Sequence, residues 1–271
     1  MIITPLLKIN NIYLKREDQN PTGSAKDRAL SVQIRKLEEK GIKDAVISST
    51  GNAAISAQYY CKQAKIKLTI FVSPQINKEK CRLLSGSTLI FDPNPIKAAF
   101  QFAKKNNLPY LRQSTDPNAI LGYQQIGREL LDQLPTLSSI FIPTASGSTL
   151  LGISQTLPST VKIFAVQPAN YHPIASYFDQ NFTTEPDSIT DALSVKLLPL
   201  KHQVIAAINH SHGSALIVQN QDTITAQEFL QNHQIITSNE GALALAGYNK
   251  ANLLQYDIGN SPVILLTGAK R

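Results

Sequence analysis

The chain is expected to fold as an α/β protein with two lobes, each built on a mostly parallel twisted sheet with helices on both faces. Three observations predict this. Short runs rich in Val, Ile, Leu and Phe alternate with helix-length stretches, the pattern of βαβ units. Hydrophobic residues make up 42% and charged residues 17%, enough for a sizeable core and too few charges for disorder. The length of 271 residues suits one large α/β domain or two lobes. The predicted strands are 11–15, 44–49, 67–73, 87–92, 138–143, 161–167, 214–219 and 262–267. The expected division is a large lobe of residues 1–35 plus 131–271 and a small mobile lobe of residues 36–130. The polar, turn-rich stretch 179–191 is read as a mobile connection.

Composition excludes several classes. No apolar run approaches the ~20 residues that span a bilayer. The opening MIITPLLKINN lacks the basic and apolar regions of a signal peptide. Two cysteines, Cys61 and Cys81, lack metal-ligand spacing and fit a reducing compartment, so a cytoplasmic protein is expected. The net charge of +7 is scattered, with no basic stripe interleaved with aromatics, which argues against nucleic acid. Five histidines include the HSH of residues 210–212 but no H-E-x-x-H, so no metal site is expected and the pair is placed in a surface turn.

The stretch NPTGSAKDRAL, residues 20–30, poses a problem for a simple amphipathic reading. A helix follows the NPTGS turn and ends at Gly41. Lys26, Leu30, Ile34 and Leu37 share one face at i, i+4, i+8 and i+11, while Arg28, Arg35, Glu38 and Glu39 can face outward. A lysine that opens a core-facing stripe is either a desolvated amine, usable as a Schiff-base lysine or general base, or a first-turn lysine that snorkels to solvent.

Ligands of parallel sheets bind at the carboxyl ends of strands, so the residues there were examined in turn. After the strand ending at Ser48 and Ser49, the turn SSTGN (Ser48, Ser49, Thr50, Gly51, Asn52) precedes a helix with Asn52 as expected N-cap and Ala54, Ala57, Cys61 and Ala64 inward. Hydroxyls, backbone N–H groups and a helix N-terminus make this an anion site. After the strand ending at Pro143, the loop TASGST offers Ser146, Gly147, Ser148 and Thr149 to a phosphate. It is neither G-x-G-x-x-G nor a Walker loop, and the next strand ends in Gln167 rather than an acidic residue, so a dinucleotide is not expected. The last strand ends at Thr267, whose hydroxyl stands at the same edge.

Taken in order, NPTGSAKDR, SSTGNAA, PTASGSTLLG, NEGALALAG and LLTGAK resemble the fold-type II family of pyridoxal-phosphate enzymes, over essentially the whole chain from TPLLKINNIYLKRED onward. That family includes threonine synthase, serine and threonine dehydratases, cysteine synthase and the tryptophan synthase β chain. The resemblance implies pyridoxal 5'-phosphate as cofactor and Lys26 as its Schiff-base lysine. It implies Asn52 on the cofactor's ring hydroxyl, Ser48 to Asn52 on the substrate carboxylate, Ser146 to Thr149 on the cofactor phosphate and Thr267 facing the pyridine nitrogen. A hydroxyl there favours elimination and replacement over transamination. The loop around Gly147 has fewer glycines than its relatives, with hydroxyls in their place.

Within the family the stretches SSTGNAA, KLTIFVS, NEGALALAGYNKA and VILLTGAKR look most like threonine synthase, which acts on O-phosphohomoserine. Its leaving phosphate needs a cationic pocket, for which Lys15, Arg16, Arg28 and Arg112 are the candidates. A serine/threonine dehydratase uses the same lysine with no second pocket; a cysteine synthase-type enzyme and a catalytically silent cofactor-binding relative are the further alternatives. The resemblance also implies a small-molecule amino-acid substrate, a homodimer, and no end-product control by an added regulatory domain.

Overall fold

The computed structural model describes residues 2–49, 51–76, 78–190, 193 and 198–270. In chain order its first elements are β1 (Leu6–Ile9), β2 (Ile12–Arg16), α1 (Lys26–Glu39), β3 (Asp44–Ser48), α2 (Asn52–Gln63), β4 (Lys67–Val72), α3 (Lys78–Leu83), β5 (Thr88–Phe91), α4 (Pro95–Lys105) and α5 (Pro117–Gln133). There follow β6 (Ser139–Pro143), α6 (Ser148–Ser154), β7 (Lys162–Pro168), α7 (Lys201–His210), β8 (Ser214–Val218), α8 (Asn220–Asn232), α9 (Asn239–Leu253) and β9 (Pro262–Leu266). All the strands expected from sequence are present. The exception to the forecast is β1, a half-exposed edge strand that turns back on β2 through Asn10 at φ 51°.

Contacts gather the chain into two compact units. One runs to Ala25 and resumes at Tyr123; the other is Lys26–Gly122. These divisions fall at the start of α1 and inside α5, where the sequence reading placed lobe limits at 35/36 and 130/131.

The first unit is built on a six-stranded sheet of order β1-β2-β9-β6-β7-β8. Only the β1–β2 pair is antiparallel; the rest run parallel. Parallel strands must be covered on both faces, and β6, β8 and β9 are buried at every residue. Alternate residues Leu14, Phe141, Phe164, Val166, Leu216, Val218, Ile264 and Leu266 form one face and pack with α8 and α9. Phe141 and Phe164 stack at 4.6 Å between ring centres, and Tyr248 of α9 meets Phe141 edge-on. Burial of such aromatics contributes most to a core of this kind.

A buried ion pair ties this sheet to α5. Lys15, fully buried on β2, reaches Glu129 at 2.7 Å, and donates as well to Gln133 Oε1 (2.9 Å) and the Thr4 carbonyl (2.9 Å). The hydrogen bonds matter because a buried charge is tolerated only when its donors and acceptors are satisfied.

The stretch expected to be mobile is held down over its described residues. Asp179 accepts from Lys250 Nζ (2.7 Å) and from the Ile217 N–H (2.8 Å). Glu185 caps the Asn220 N–H at the start of α8, and Asn239 donates to the Ile189 carbonyl. Polar, turn-forming residues here serve as acceptors for helix starts rather than for solvent. Asp191 lies outside the described residues.

The second unit has a three-stranded parallel sheet, β3-β4-β5, and residues 109–111 add main-chain bonds to Val46 on its free edge. Helix α1 packs against α2. On α1, Leu30 and Ile34 are buried as the 3.6-residue stripe requires, but Arg28 is not outward: it is 1% exposed. The periodicity failed because α1 is covered on a second side. Gly122 of α5 lies so close that a Cβ there would meet the Arg28 carbonyl oxygen at 2.1 Å. His210 and His212 do lie in an exposed turn, and no group of metal-ligating residues occurs among the described residues. No described helix is long and apolar enough to cross a membrane.

Two expectations follow. Lys15→Ala leaves Glu129 buried without its cation and should cost about 3–5 kcal/mol in a urea unfolding experiment. Cys61 is buried and its thiol is pushed up to about 12 by desolvation, whereas Cys81 is partly accessible. A thiol reagent at pH 8 should therefore modify one cysteine, Cys81, in the native protein and both after unfolding.

Candidate active site

The sheet order decides which predicted residues meet. In the first unit β6 and β9 are neighbours and parallel, so the segments after them leave from one edge. Those segments are the loop Thr144–Thr149 and the pair Thr267–Gly268. This is the carboxyl edge, where parallel sheets place ligands.

The loop is shaped by Gly147. It sits at φ 88°, a left-handed conformation that disfavours any side chain, and serves as N-cap of α6. A Cβ there would lie 2.2 Å from Val204 Cγ2, so α7 supports the loop directly from below. Ser146 and Ser148 share a hydroxyl hydrogen bond at 3.0 Å. The Leu151 N–H makes the first turn's bond, to Gly147 O at 2.9 Å. Helix geometry leaves the N–H groups of 148–150 with no acceptor inside the helix. Hydroxyls, such N–H groups and a backbone pressed close by a glycine suit an oxyanion, so the loop fits the phosphate of pyridoxal phosphate. The start of the loop is anchored by Gln167, a residue whose part was not foreseen. Its amide donates to the Thr144 carbonyl (3.0 Å), and its oxygen accepts from the N–H groups of Ile174 and Ala175. A polar residue ending an apolar strand was the only signal.

Thr267 follows β9 and is half-buried. Its carbonyl accepts the Ala25 N–H at 2.9 Å, Ser24 and Gly268 form an antiparallel bridge, and the Ala269 N–H returns to Gly23 O at 2.8 Å. The chain's last strand thereby fixes the residues that directly precede Lys26. No carboxylate occurs from Pro262 to Lys270, so a neutral hydroxyl is what this strand end offers a ring nitrogen.

In the second unit Lys26 is the first residue of α1, half-buried, followed by buried Asp27 and Arg28. The position reconciles the two sequence readings: the side chain starts the inner stripe but is not sealed from solvent. The anion turn lies between β3 and α2. Ser48 ends β3, Ser49 Oγ accepts the Gly51 N–H at 3.2 Å, and Thr50 is outside the described residues. The N-cap of α2 is Gly51, and Asn52 is the first helical residue, so the expected capping role of Asn52 is corrected. That leaves its amide to be spent on something other than the helix end. Ala54, Ala57 and Cys61 point inward as expected, while Ala64 is only half-buried.

The cations proposed for a second phosphate are placed otherwise. Lys15 is committed to Glu129, Arg16 forms a paired contact with Asp18 (2.8–3.2 Å), and Arg28 is buried. Arg112 is half-buried.

Comparison with known proteins gives relatives along the whole chain. The catabolic L-threonine dehydratase TdcB of Staphylococcus aureus (strain USA300) is 26% identical over 260 residues, covering 91% of this chain and 75% of that protein. The biosynthetic L-threonine dehydratase IlvA of Haemophilus influenzae is 24% identical over 290 residues, and this chain spans only 56% of its length. Among solved structures, threonine deaminase isoform 2 of Solanum lycopersicum superposes with a TM-score of 0.87 at 20% identity, over 100% of this chain and 84% of the other. Maize serine racemase gives 0.88 at 18%, over 100% and 89%. These two establish a shared fold. The sequence reading of threonine synthase is corrected here: the relatives found are threonine dehydratases, and they do not indicate that enzyme.

Gly147→Ala tests the phosphate loop. A Cβ pressed against Val204 should cost about 1–3 kcal/mol of stability and weaken uptake of pyridoxal phosphate, followed by visible absorbance. Unchanged affinity would remove the loop as the phosphate cradle. Residues 2–268 match the profile of a single family, described as pyridoxal-phosphate-dependent enzymes. With the strand ends, the glycine-shaped loop and this match in agreement, the chain belongs to the pyridoxal-phosphate-dependent enzyme family, and its cofactor is pyridoxal 5'-phosphate.

Proposed function

We propose that the chain is a pyridoxal-phosphate-dependent lyase that removes the β-hydroxyl of a small hydroxyamino acid, as a serine/threonine dehydratase does. The observation that carries this is the fate of the cations. An O-phosphohomoserine enzyme needs a second phosphate pocket, yet Lys15 and Arg16 are spent on Glu129 and Asp18, and Arg28 is buried. A dehydratase needs no such pocket. The relatives named as threonine dehydratases support the same choice.

In this reading the cofactor supplies an electron sink for the charge that develops at the substrate's α carbon. Ser146, Gly147, Ser148 and Thr149 hold its phosphate. Thr267 offers the ring nitrogen a hydroxyl, which does not enforce protonation as a carboxylate does. Lys26 provides the attachment amine and then moves the proton at the α carbon. The turn Ser48 to Gly51, at the start of α2, takes the substrate carboxylate with N–H groups and hydroxyls. Asn52, free of any capping duty, orients the ring hydroxyl.

The test is product analysis. L-Threonine and L-serine should yield 2-oxo acids and ammonia, and O-phosphohomoserine should release no phosphate. Phosphate release with threonine formation would restore the threonine synthase reading. Lys26→Ala should lower turnover by roughly 10²–10⁴-fold or more, with the circular dichroism of the fold unchanged; retained turnover would exclude Lys26.

A further inference from the structure

A buried polar network stands directly upstream of Lys26 and has no part in the steps above. Glu17 is fully buried, and both its carboxylate oxygens are occupied. Thr4 Oγ1 donates to one at 2.5 Å and Asn20 Nδ2 to the other at 2.7 Å. Asn20 Nδ2 also donates to the Glu17 carbonyl at 2.8 Å. Behind Thr4, its carbonyl accepts Lys15 Nζ and Gln133 Nε2, and Lys15 pairs with Glu129. The network is therefore rooted in α5.

Ahead of Asn20 the links are main-chain. The Gly23 N–H donates to Asn20 O at 2.7 Å, closing a turn that Gly23 allows at φ 72°. Gly23 O and Ala25 N then pair with Ala269 and Thr267. Lys26 is the next residue. A carboxylate buried this completely is costly to desolvate, and here its bonds converge on the one side chain that begins the turn.

We infer that Glu17 and Asn20 are positioning residues for Lys26, fixing the turn that delivers the main chain to the attachment lysine. The inference rests on the reading of Lys26 as that lysine. Glu17 acts through Asn20, and Asn20 through the turn; neither touches the reacting atoms. Side-chain cations and the sheet edge hold the two ends of the segment, and the Glu17–Asn20 contact holds its middle. Loosening it lets Ala25 and the Lys26 backbone drift, and a displacement near 1 Å is enough to depress reaction at an amine that must meet a fixed partner.

The test measures how fast Lys26 is labelled. Apo-protein is incubated with pyridoxal phosphate, reduced with borohydride at set times, and the pyridoxyl group is located by peptide mass. Asn20→Ala and Glu17→Ala are compared with Leu230→Ala, a core truncation beneath α8 that serves as the control for general destabilisation. Label on Lys26 that forms on the order of tenfold more slowly in both network variants, at the wild-type rate in Leu230→Ala and close to wild type in Glu17→Gln supports the inference. Glu17→Gln keeps an acceptor for Asn20, so it should rescue what Glu17→Ala loses. If Asn20→Ala does not fold, Asn20→Asp replaces the donor by an acceptor in the same shape and should slow labelling likewise. Labelling in the network variants no slower than in the control overturns the inference alone. Label on a different lysine in the wild type overturns the attachment reading, and the inference with it.

Discussion

The short main-chain pairing of Gly23–Ala25 with Thr267–Ala269 is the constraint on which the candidate site depends. It joins the segment before α1 to the end of β9, the strand between β2 and β6. Backbone bonds of this kind suit the task because they set position without using side chains. Both partners are near the chain's ends, so the pairing forms only once the six-stranded sheet has formed. The lysine is thus delivered by a late, non-local contact, whereas the phosphate loop depends on the local geometry of one glycine.

Buried polar groups supply the second layer of constraint. Glu17, Lys15, Glu129 and Gln167 are all desolvated, and each has several partners. Such groups contribute little net stability over apolar substitutes, yet they are strongly destabilising when half-satisfied. They specify one arrangement of loops. Gln167 does this for the phosphate loop by holding Thr144 and the turn at Ile174–Ala175, and Glu17 does it for the turn before Lys26. Asp179, pinned by Lys250 and the Ile217 N–H, plays the same part for a polar stretch whose composition reads as loose.

Specificity turns on what the cations are doing. A basic chain with several arginines and lysines near family motifs reads as a binder of a doubly anionic substrate. Folding commits Lys15 and Arg16 to carboxylates of the chain itself. Net charge alone therefore carried little information about substrate, and the threonine dehydratase relatives point the same way as the ion pairs.

The alternation of apolar runs with helical patterns was legible in the sequence because parallel strands buried on both faces need continuous hydrophobic runs. So were the strand-end loops, since Gly147 and the hydroxyls beside it are local chemistry, and the order of motifs that marks the family. Strand β1 was not legible: LLKI is a half-exposed edge, with neither a clean alternation nor a continuous buried run. Arg28 was misplaced because helical periodicity assumes one covered face, and Gly122 brings α5 against another. Asn52 looked like a cap, but Gly51 took that role, a shift of one residue that propensity does not resolve. The partners of Glu17, Asn20 and Gln167 lie on segments distant in sequence or depend on how a turn closes. The sequence by itself determined which local conformations and which chemistry were available; only the tertiary structure decided which charges face each other, because desolvation and ion pairing depend on neighbours that the fold alone brings together.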